Sequence, residues 1–330
     1  MSGIRIAVFG AGAWGTALAQ AFSASHQVSL WGRDRLHLGE LARTRENHRY
    51  LPGVALHEAL AFEPDFDTAA RDADLHLVVT PLSGLRDTVR RLHRLQPGTP
   101  LLWACKGFEA GSGRLPHEII AEERGDAATC GVLTGPSFAA EVARGLPAAV
   151  TLAAHDAGFA RHWVGVLHQP RLRIYANTDL VGCETGGAVK NVMAIAAGVA
   201  DGMGFGLNAR AALITRGLAE IARLAQALGG RSETLMGLAG MGDLILTCTG
   251  DLSRNRRVGL ALAAGKTLDD ILRELGHVAE GVSTAREVVR LAHRHGVEMP
   301  ICEAIDALLH HGLNARSAVE RLLARDPREE

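Results

Sequence analysis

"IAVFGAGAWGTALA", residues 6–19, is an apolar run interrupted by glycines at Gly10, Gly12 and Gly15. The spacing G-x-G-x-x-G is weak evidence alone. Here it follows a strand-like run, "IAVF", opens a helical stretch, "WGTALAQAFSAS", and stands at the start of a βαβ unit, the setting in which the motif is informative. In that setting Gly10 permits the turn, Gly12 lets a pyrophosphate approach the backbone, and Gly15 lets helix and strand pack closely. The N-terminus of the helix then offers its N–H groups to the anion. A dinucleotide is the expected ligand.

Outward from this stretch, short β-branched runs alternate with helical ones. "QVSLWG" (27–32) reads as the second strand and "DLHLVVTP" (74–81), closed by Pro81, as a later one. "GLRDTVRRLHRL" places Leu85, Val89 and Leu92 on one helical face. "TPLLWACKG" (99–107), "CGVLTGP" (130–136), "AAVTLAA" and "RLRIYAN" carry the β signal to about residue 177. This alternation predicts a parallel sheet covered on both faces. Beyond residue 183 the period becomes helical: "ARAALITRGLAEIARLAQALGG" sets Leu213, Leu218, Ile221, Leu224, Ala225 and Leu228 along one stripe and ends at Gly229. In "TAREVVRLAHRHG", Thr284 and Glu287 have capping-box spacing. The expected fold is therefore α/β, with an N-terminal Rossmann-like doubly wound sheet (dinucleotide-binding, 1–183) followed by an all-helical C-terminal domain (substrate and catalysis, 184–330). No repeat or long linker interrupts it, and the charged C-terminal tail is expected to fray.

Bulk properties agree with two domains, since 330 residues exceed what one hydrophobic core usually supports. A formal charge of −1 lacks the basic footprint of a polynucleotide binder, so no nucleic acid is expected. The five cysteines, Cys105, Cys130, Cys183, Cys248 and Cys302, are scattered without the short spacings of metal clusters and fit reduced thiols in a cytoplasm. His293 with His295, and His310 with His311, lack companions that would complete a metal site. Residues 6–25 imitate a signal peptide, yet the three glycines and Gln20 argue against it. No segment offers the ~20 apolar residues of a membrane helix, so a soluble protein without membrane insertion is expected. Of 35 basic residues only Lys106, Lys190 and Lys266 are lysines. Arginine stays charged in proteins whereas lysine can lose its proton, so a retained lysine can mark a site where arginine fails.

The end of the second strand bears on cofactor choice. There "WGRDR" brackets Asp34 between Arg33 and Arg35. An acid at this point suits the ribose 2′-hydroxyl of NAD and an arginine suits the 2′-phosphate of NADP. The arginines favour NADP, while Asp34 leaves NAD open.

"ETGGAVKNVMAIAAG" (184–198) is the most informative stretch outside the glycines. On a helix, Lys190 shares its face with Gly186, Gly187, Met193, Ala194 and Ala197, and with no carboxylate. Such a lysine is expected to be buried, and burial lowers a lysine pKa and can make it a proton acceptor near neutral pH; a solvated charge is the plainer alternative. "LAGMGDLILTCTG" sets Asp243 between glycine and an apolar run, where a carboxylate is costly without a partner; a turn-capping aspartate is the plainer alternative. "DLSRNRRVGLALAAG" sets Ser253 ahead of a helix, where its hydroxyl, the adjoining N–H groups and Arg254 could grip a phosphate or form an ordinary N-cap.

These segments, with "LWGRD", "WACKGFE", "TGPSFAAEVARGLP", "GFGLNARAALITRGLAE", "SRNRR" and "VAEGVSTAREV", together resemble the bacterial-type NAD(P)-dependent glycerol-3-phosphate dehydrogenases over nearly the whole chain. The resemblance implies interconversion of sn-glycerol 3-phosphate and dihydroxyacetone phosphate, in a cytoplasmic homodimer that supplies phospholipid synthesis. By resemblance Lys190 is the proton acceptor, with Asp243 and Asn255 beside the substrate and Lys106, Gly135, Ser137, Ser253 and Arg254 on its phosphate and glycerol. The cofactor, NADP or NAD with NADPH favoured, is implied to meet Gly10, Gly12, Ala13, Trp14, Gly15, Arg33, Tyr50, Lys106, Ala139, Arg254, Val278 and Glu280. Ala13 replaces a serine seen in some relatives, and Asp34 a second basic residue. The alternatives are a 3-hydroxy acid or ketopantoate-type dehydrogenase, which would read a carboxylate in place of the phosphate, and a non-catalytic nucleotide-sensing module, which needs neither Lys190 nor Asp243.

Overall fold

A computed structural model describes residues 3–125, 129–275 and 279–323. The charged tail read as frayed therefore lies largely outside the described residues. The chain divides into two compact units. The first comprises the chain up to Cys105 together with Pro116–Leu180, and the second Lys106–Leu115 together with the chain from Val181 onward.

Among the described residues the first unit holds ten strands: β1 (Arg5–Phe9), β2 (Gln27–Trp31), β3 (Glu46–Asn47), β4 (Leu51–Ala55), β5 (Ala61–Phe62), β6 (Leu75–Val78), β7 (Leu101–Trp103), β8 (Cys130–Thr134), β9 (Ala148–Ala153) and β10 (Leu172–Asn177). Eight form one sheet in the order β10-β9-β8-β7-β6-β1-β2-β5, while β3 and β4 form a separate hairpin. Helices α1 (Ala13–Phe22), α2 (Arg35–Thr44), α3 (Phe66–Arg71), α4 (Leu85–Leu95), α5 (Pro116–Arg124), α6 (Ala139–Ala143) and α7 (Ala157–Leu167) connect the strands. Strands β1, β6, β7 and β8 are buried at almost every position, as expected of strands covered on both faces. On α4, Leu85, Val89 and Leu92 are fully buried, each such side chain contributing about 1.5–3 kcal/mol.

One part of the sheet departs from the parallel expectation: β8 and β9 are antiparallel. The cause is the connector. The chain turns at Gly135, where φ is +133°, into the five-residue α6. A helix of that length advances about 7.5 Å, too little to carry the chain back along a strand of roughly 17 Å. The chain therefore re-enters the sheet in the opposite sense, and α7 then restores a parallel β9–β10 pair.

The second unit is helical: α8 (Leu180–Gly202), α9 (Gly206–Ala227), α10 (Ser232–Leu235), α11 (Asp243–Thr249), α12 (Arg254–Ala263), α13 (Leu268–Leu275), α14 (Glu280–Arg294), α15 (Pro300–His310) and α16 (Ala315–Leu323), with a π-helical turn over Leu238–Gly242. Helix α8 is buried continuously from residue 182 to residue 200, mostly through small and apolar residues but with Glu184, Thr185, Lys190 and Asn191 among the buried ones. Small residues let its neighbours approach. A Cβ on Gly198 would lie 2.0 Å from the Arg256 carbonyl oxygen, and one on Gly186 would lie 2.7 Å from that of Ala239.

The short segment Lys106–Leu115 joins this unit because Phe108 and Leu115 are buried in its core cluster. A further tie corrects the capping-box reading. Helix α14 begins at Glu280, so Thr284 and Glu287 lie inside it, and the buried Glu287 carboxylate instead accepts the Gly111 N–H at 3.2 Å. The spacing was right for a box, but the helix starts one turn earlier. Among the described residues no helix is long and apolar enough to cross a membrane.

Helix α15 is anchored by an acid. Glu220, 2 % exposed, accepts the N–H groups of Ile301 at 2.8 Å and Cys302 at 3.3 Å. Burial pushes its carboxyl up from 4.5 to about 7. Between these values the folded chain holds a proton that the unfolded chain has released, so stability falls as pH rises through the window. Wild type is expected to lose up to about 3 kcal/mol relative to Glu220→Gln between about pH 5 and pH 8, measured by denaturant unfolding. Parallel pH dependences of the two proteins would contradict this.

Candidate active site

In the first unit the glycine stretch is a turn from β1 into α1. Gly10 has φ +131°, and a Cβ there would stand 2.5 Å from the Val79 carbonyl oxygen. At Gly15 a Cβ would stand 1.9 Å from the Gly10 carbonyl oxygen. Both glycines are thus required by the fold. Gly12 differs: a Cβ there would meet nothing within 4 Å, so packing does not explain its identity. Gly12 caps α1 without a side-chain hydrogen bond, and Ala13 and Trp14 begin the helix. This open backbone fits a pyrophosphate on the helix N-terminus. Trp14 and Ala139 pack on the same small cluster, with Ala17, Leu51 and Val142. Arg33 is exposed, Tyr50 half-buried, and the Ser137 hydroxyl donates to the Gly135 carbonyl at 3.0 Å.

In the second unit the predicted residues converge on one carboxylate. Lys190, midway along α8, is 7 % exposed and Asp243, the first residue of α11, is 1 % exposed. The Lys190 ammonium donates to Asp243 Oδ1 and to Thr247 Oγ1 at 2.9 Å. Lys106 donates to Asp243 Oδ2 at 2.7 Å. Asp243 is therefore the partner that α8 itself lacks, and Gly186 explains its arrival: the missing Cβ admits the π-helical turn that carries Asp243 to Lys190.

The electrostatics follow from this stoichiometry. Two ammonium groups share one carboxylate, so full protonation leaves an uncompensated positive charge in a buried site. Burial, opposed by Asp243 and reinforced by Lys106, brings Lys190 from 10.5 down to about 8. Lys190 can therefore hold or release a proton near neutral pH.

A second network lies alongside. Asn255 donates to Asn191 Oδ1 at 2.9 Å and accepts the Gly281 N–H at 3.0 Å, while Asn191 reaches Glu280 at 3.5 Å. Burial raises the Glu280 carboxyl above its ordinary value, against the opposing pull of Arg254, Lys106 and Lys190. Ser253 is the N-cap of α12 and accepts the Arg256 N–H at 3.2 Å; Arg254, next in sequence, is exposed. Val278 lies outside the described residues.

Two participants escaped sequence reasoning. Thr247 lies one turn after Asp243 on α11, an i,i+4 relation that was available once Asp243 was singled out. Asn191 had a weaker signal, the one amide of α8, next in sequence to Lys190. Both owe their roles to partners on other elements.

A strand–glycine turn–helix fold joined to a helical unit with a buried lysine–aspartate pair defines a dinucleotide-dependent dehydrogenase architecture. The family descriptions "NAD-dependent glycerol-3-phosphate dehydrogenase N-terminus" and "C-terminus" match residues 5–160 and 179–320. The chain belongs to the NAD-dependent glycerol-3-phosphate dehydrogenase family. It is 76% identical over 328 residues, 99% of this chain and 100% of the relative, to a protein of Aromatoleum aromaticum named glycerol-3-phosphate dehydrogenase [NAD(P)+]. The crystal structure of glycerol-3-phosphate dehydrogenase from Coxiella burnetii is similar at a TM-score of 0.94 and 41% identity, covering 98% of this chain and 100% of that one. A probable 2-dehydropantoate 2-reductase from Bacillus subtilis shares the fold alone, at a TM-score of 0.55 and 15% identity over 92% of this chain and 100% of that one.

The glycines yield paired expectations. Gly15→Ala forces a backbone clash and should destabilise the chain by about 3 kcal/mol or more. Gly12→Ala should melt like wild type yet lose most of its NADPH affinity, read by fluorescence titration. Unimpaired binding by Gly12→Ala would remove the pyrophosphate from this turn.

Proposed function

We propose that the chain catalyses the NAD(P)-dependent interconversion of sn-glycerol 3-phosphate and dihydroxyacetone phosphate, with Lys190 moving the proton of the C2 oxygen. The observation that carries the reading is the buried Lys190, held by Asp243 and Thr247 and shifted to about 8. A nicotinamide dinucleotide held at the glycine turn would supply the hydride chemistry at C2. Neutral Lys190 removes the hydroxyl proton in the oxidative direction. Protonated Lys190 returns it in the reductive direction, its charge stabilising the forming alkoxide.

Asp243 positions both lysines and limits how far the Lys190 pKa falls. Asn255 is fixed by Asn191 and Gly281, which leaves one amide hydrogen to direct at a substrate oxygen. Lys106, Gly135, Ser137, Ser253 and Arg254 are the residues we assign to the phosphate and glycerol, a grip that holds C2 at reacting distance. Gly10, Gly12, Ala13, Trp14, Gly15, Arg33, Tyr50, Lys106, Ala139, Arg254, Val278 and Glu280 are assigned to the cofactor, with NADPH preferred. Most of the dinucleotide residues lie in 1–183, joined by Arg254, Val278 and Glu280, while the proton transfer lies in 184–330 and Lys106, Gly135 and Ser137 reach the substrate from 1–183. A cytoplasmic homodimer and a role in phospholipid synthesis extend this reading on family resemblance alone.

The pH profile is the test. Oxidation should rise with pH and level off above an inflection near 8, where Lys190 loses its proton, and reduction should fall above the same point. Lys190→Arg stays charged and should lose at least about a hundredfold in turnover in both directions. Turnover like wild type at neutral pH would remove Lys190 from the chemistry.

A further inference from the structure

Asp34 occupies the point at the end of β2 where an enzyme selective for an unphosphorylated ribose uses an acid to hold the 2′-hydroxyl. In this fold the carboxylate turns back on its own helix. Its Oδ1 accepts the N–H groups of Leu36 and His37, each at 3.1 Å, as the N-cap of α2. The same bonds hold the Asp34 carboxyl below its ordinary value. Its Oδ2 faces the Arg49 guanidinium at 3.7 Å.

Arg49 stands in the turn between β3 and β4, and that turn is docked on the glycine stretch itself. The buried Asn47 amide donates to the Ala11 carbonyl at 3.2 Å and to Thr16 Oγ1 at 2.8 Å. Its Oδ1 accepts the Tyr50 N–H at 3.1 Å. The end of β2 is docked there as well, since the Gly10 N–H donates to the Trp31 carbonyl at 2.9 Å. At Gly32 a Cβ would stand only 2.8 Å from that of Ala11. Two segments from different parts of the chain thus meet beside the dinucleotide turn and bring Arg49 to Asp34. The Arg49 guanidinium also lies over the Tyr50 ring, 5.0 Å from its centre, and its side chain is 55% exposed. It is held in place and open to a ligand.

We propose that Arg49 is a second guanidinium for the 2′-phosphate of NADP, working beside Arg33, and that Asp34 is its resting partner and not a ribose ligand. This deepens the reading of the glycine turn as a dinucleotide site with a preference for NADPH, and rests on it. An arginine grips phosphate bidentately. The exposed Asp34–Arg49 pair is a weak contact, readily exchanged for a dianionic phosphate. No corresponding gain exists for NAD, so the exchange discriminates between the cofactors.

The test is equilibrium binding, without turnover, of adenosine 2′,5′-bisphosphate and adenosine 5′-monophosphate to the full chain by calorimetry. Wild type should prefer the bisphosphate. Arg49→Ala should lose about tenfold or more of that affinity, as expected for a charge-assisted contact, and keep its affinity for the monophosphate. Asp34→Asn retains a capping oxygen and removes the competing charge, so the bisphosphate should bind severalfold tighter with the monophosphate unchanged. An unaltered ratio in Arg49→Ala overturns the proposal, as does weakened monophosphate binding in Asp34→Asn, which would make Asp34 a ribose ligand. Equal binding of both nucleotides by wild type would instead remove the NADPH preference, and binding of neither would remove the dinucleotide site.

Discussion

A single buried carboxylate between two ammonium groups is the constraint on which the catalytic account depends. Asp243 cannot neutralise Lys106 and Lys190 together, and the buried lysine yields. Removing one partner of such a buried arrangement leaves an unpaired charge and typically costs several kcal/mol, so the three side chains belong to stability as well as to chemistry. The arrangement also explains two oddities of the backbone. The π-helical turn over Leu238–Gly242 is the kind of irregularity often found at functional sites, and here it delivers Asp243. The run of small residues on α8 is what lets that turn come close enough.

The sequence exposed most of this where the information was local. The glycine spacing, the short β-branched runs and the lysine on a small-residue face each depend on a few neighbouring residues, and the structure shows the turn, the strands and the buried ammonium. What escaped is what other elements supply. The Lys190 face contains no carboxylate, so its partner could come only from another helix, and no local pattern could say which. The transfer of Lys106–Leu115 to the helical unit has the same character, because Phe108 and Leu115 look like ordinary apolar residues until their neighbours are known. Thr284 and Glu287 show the converse failure, a correct spacing on a helix whose true start lay upstream. The antiparallel β9 was hidden in the length of α6, a quantity that single-sequence reading handles poorly.

The economy of lysine gains a physical reading from these contacts. Arginine serves wherever a permanent charge suffices, in surface pairs such as Arg5 with Asp74 and Arg91 with Asp67. Two of the three lysines sit on Asp243, where a smaller ammonium fits and a titratable one is useful, while the third pairs with Glu274 at the surface. A guanidinium in place of Lys190 would keep its proton at every relevant pH.

That scarcity makes the central claim directly measurable. With lysine labelled by carbon-13 at Cε, the chain should give three signals, one for each of Lys106, Lys190 and Lys266. The account predicts that the Lys190 signal, assigned by its loss in Lys190→Arg, titrates near 8 in the folded protein without any ligand. A Lys190 signal that titrates at the ordinary lysine value of about 10.4 would contradict it.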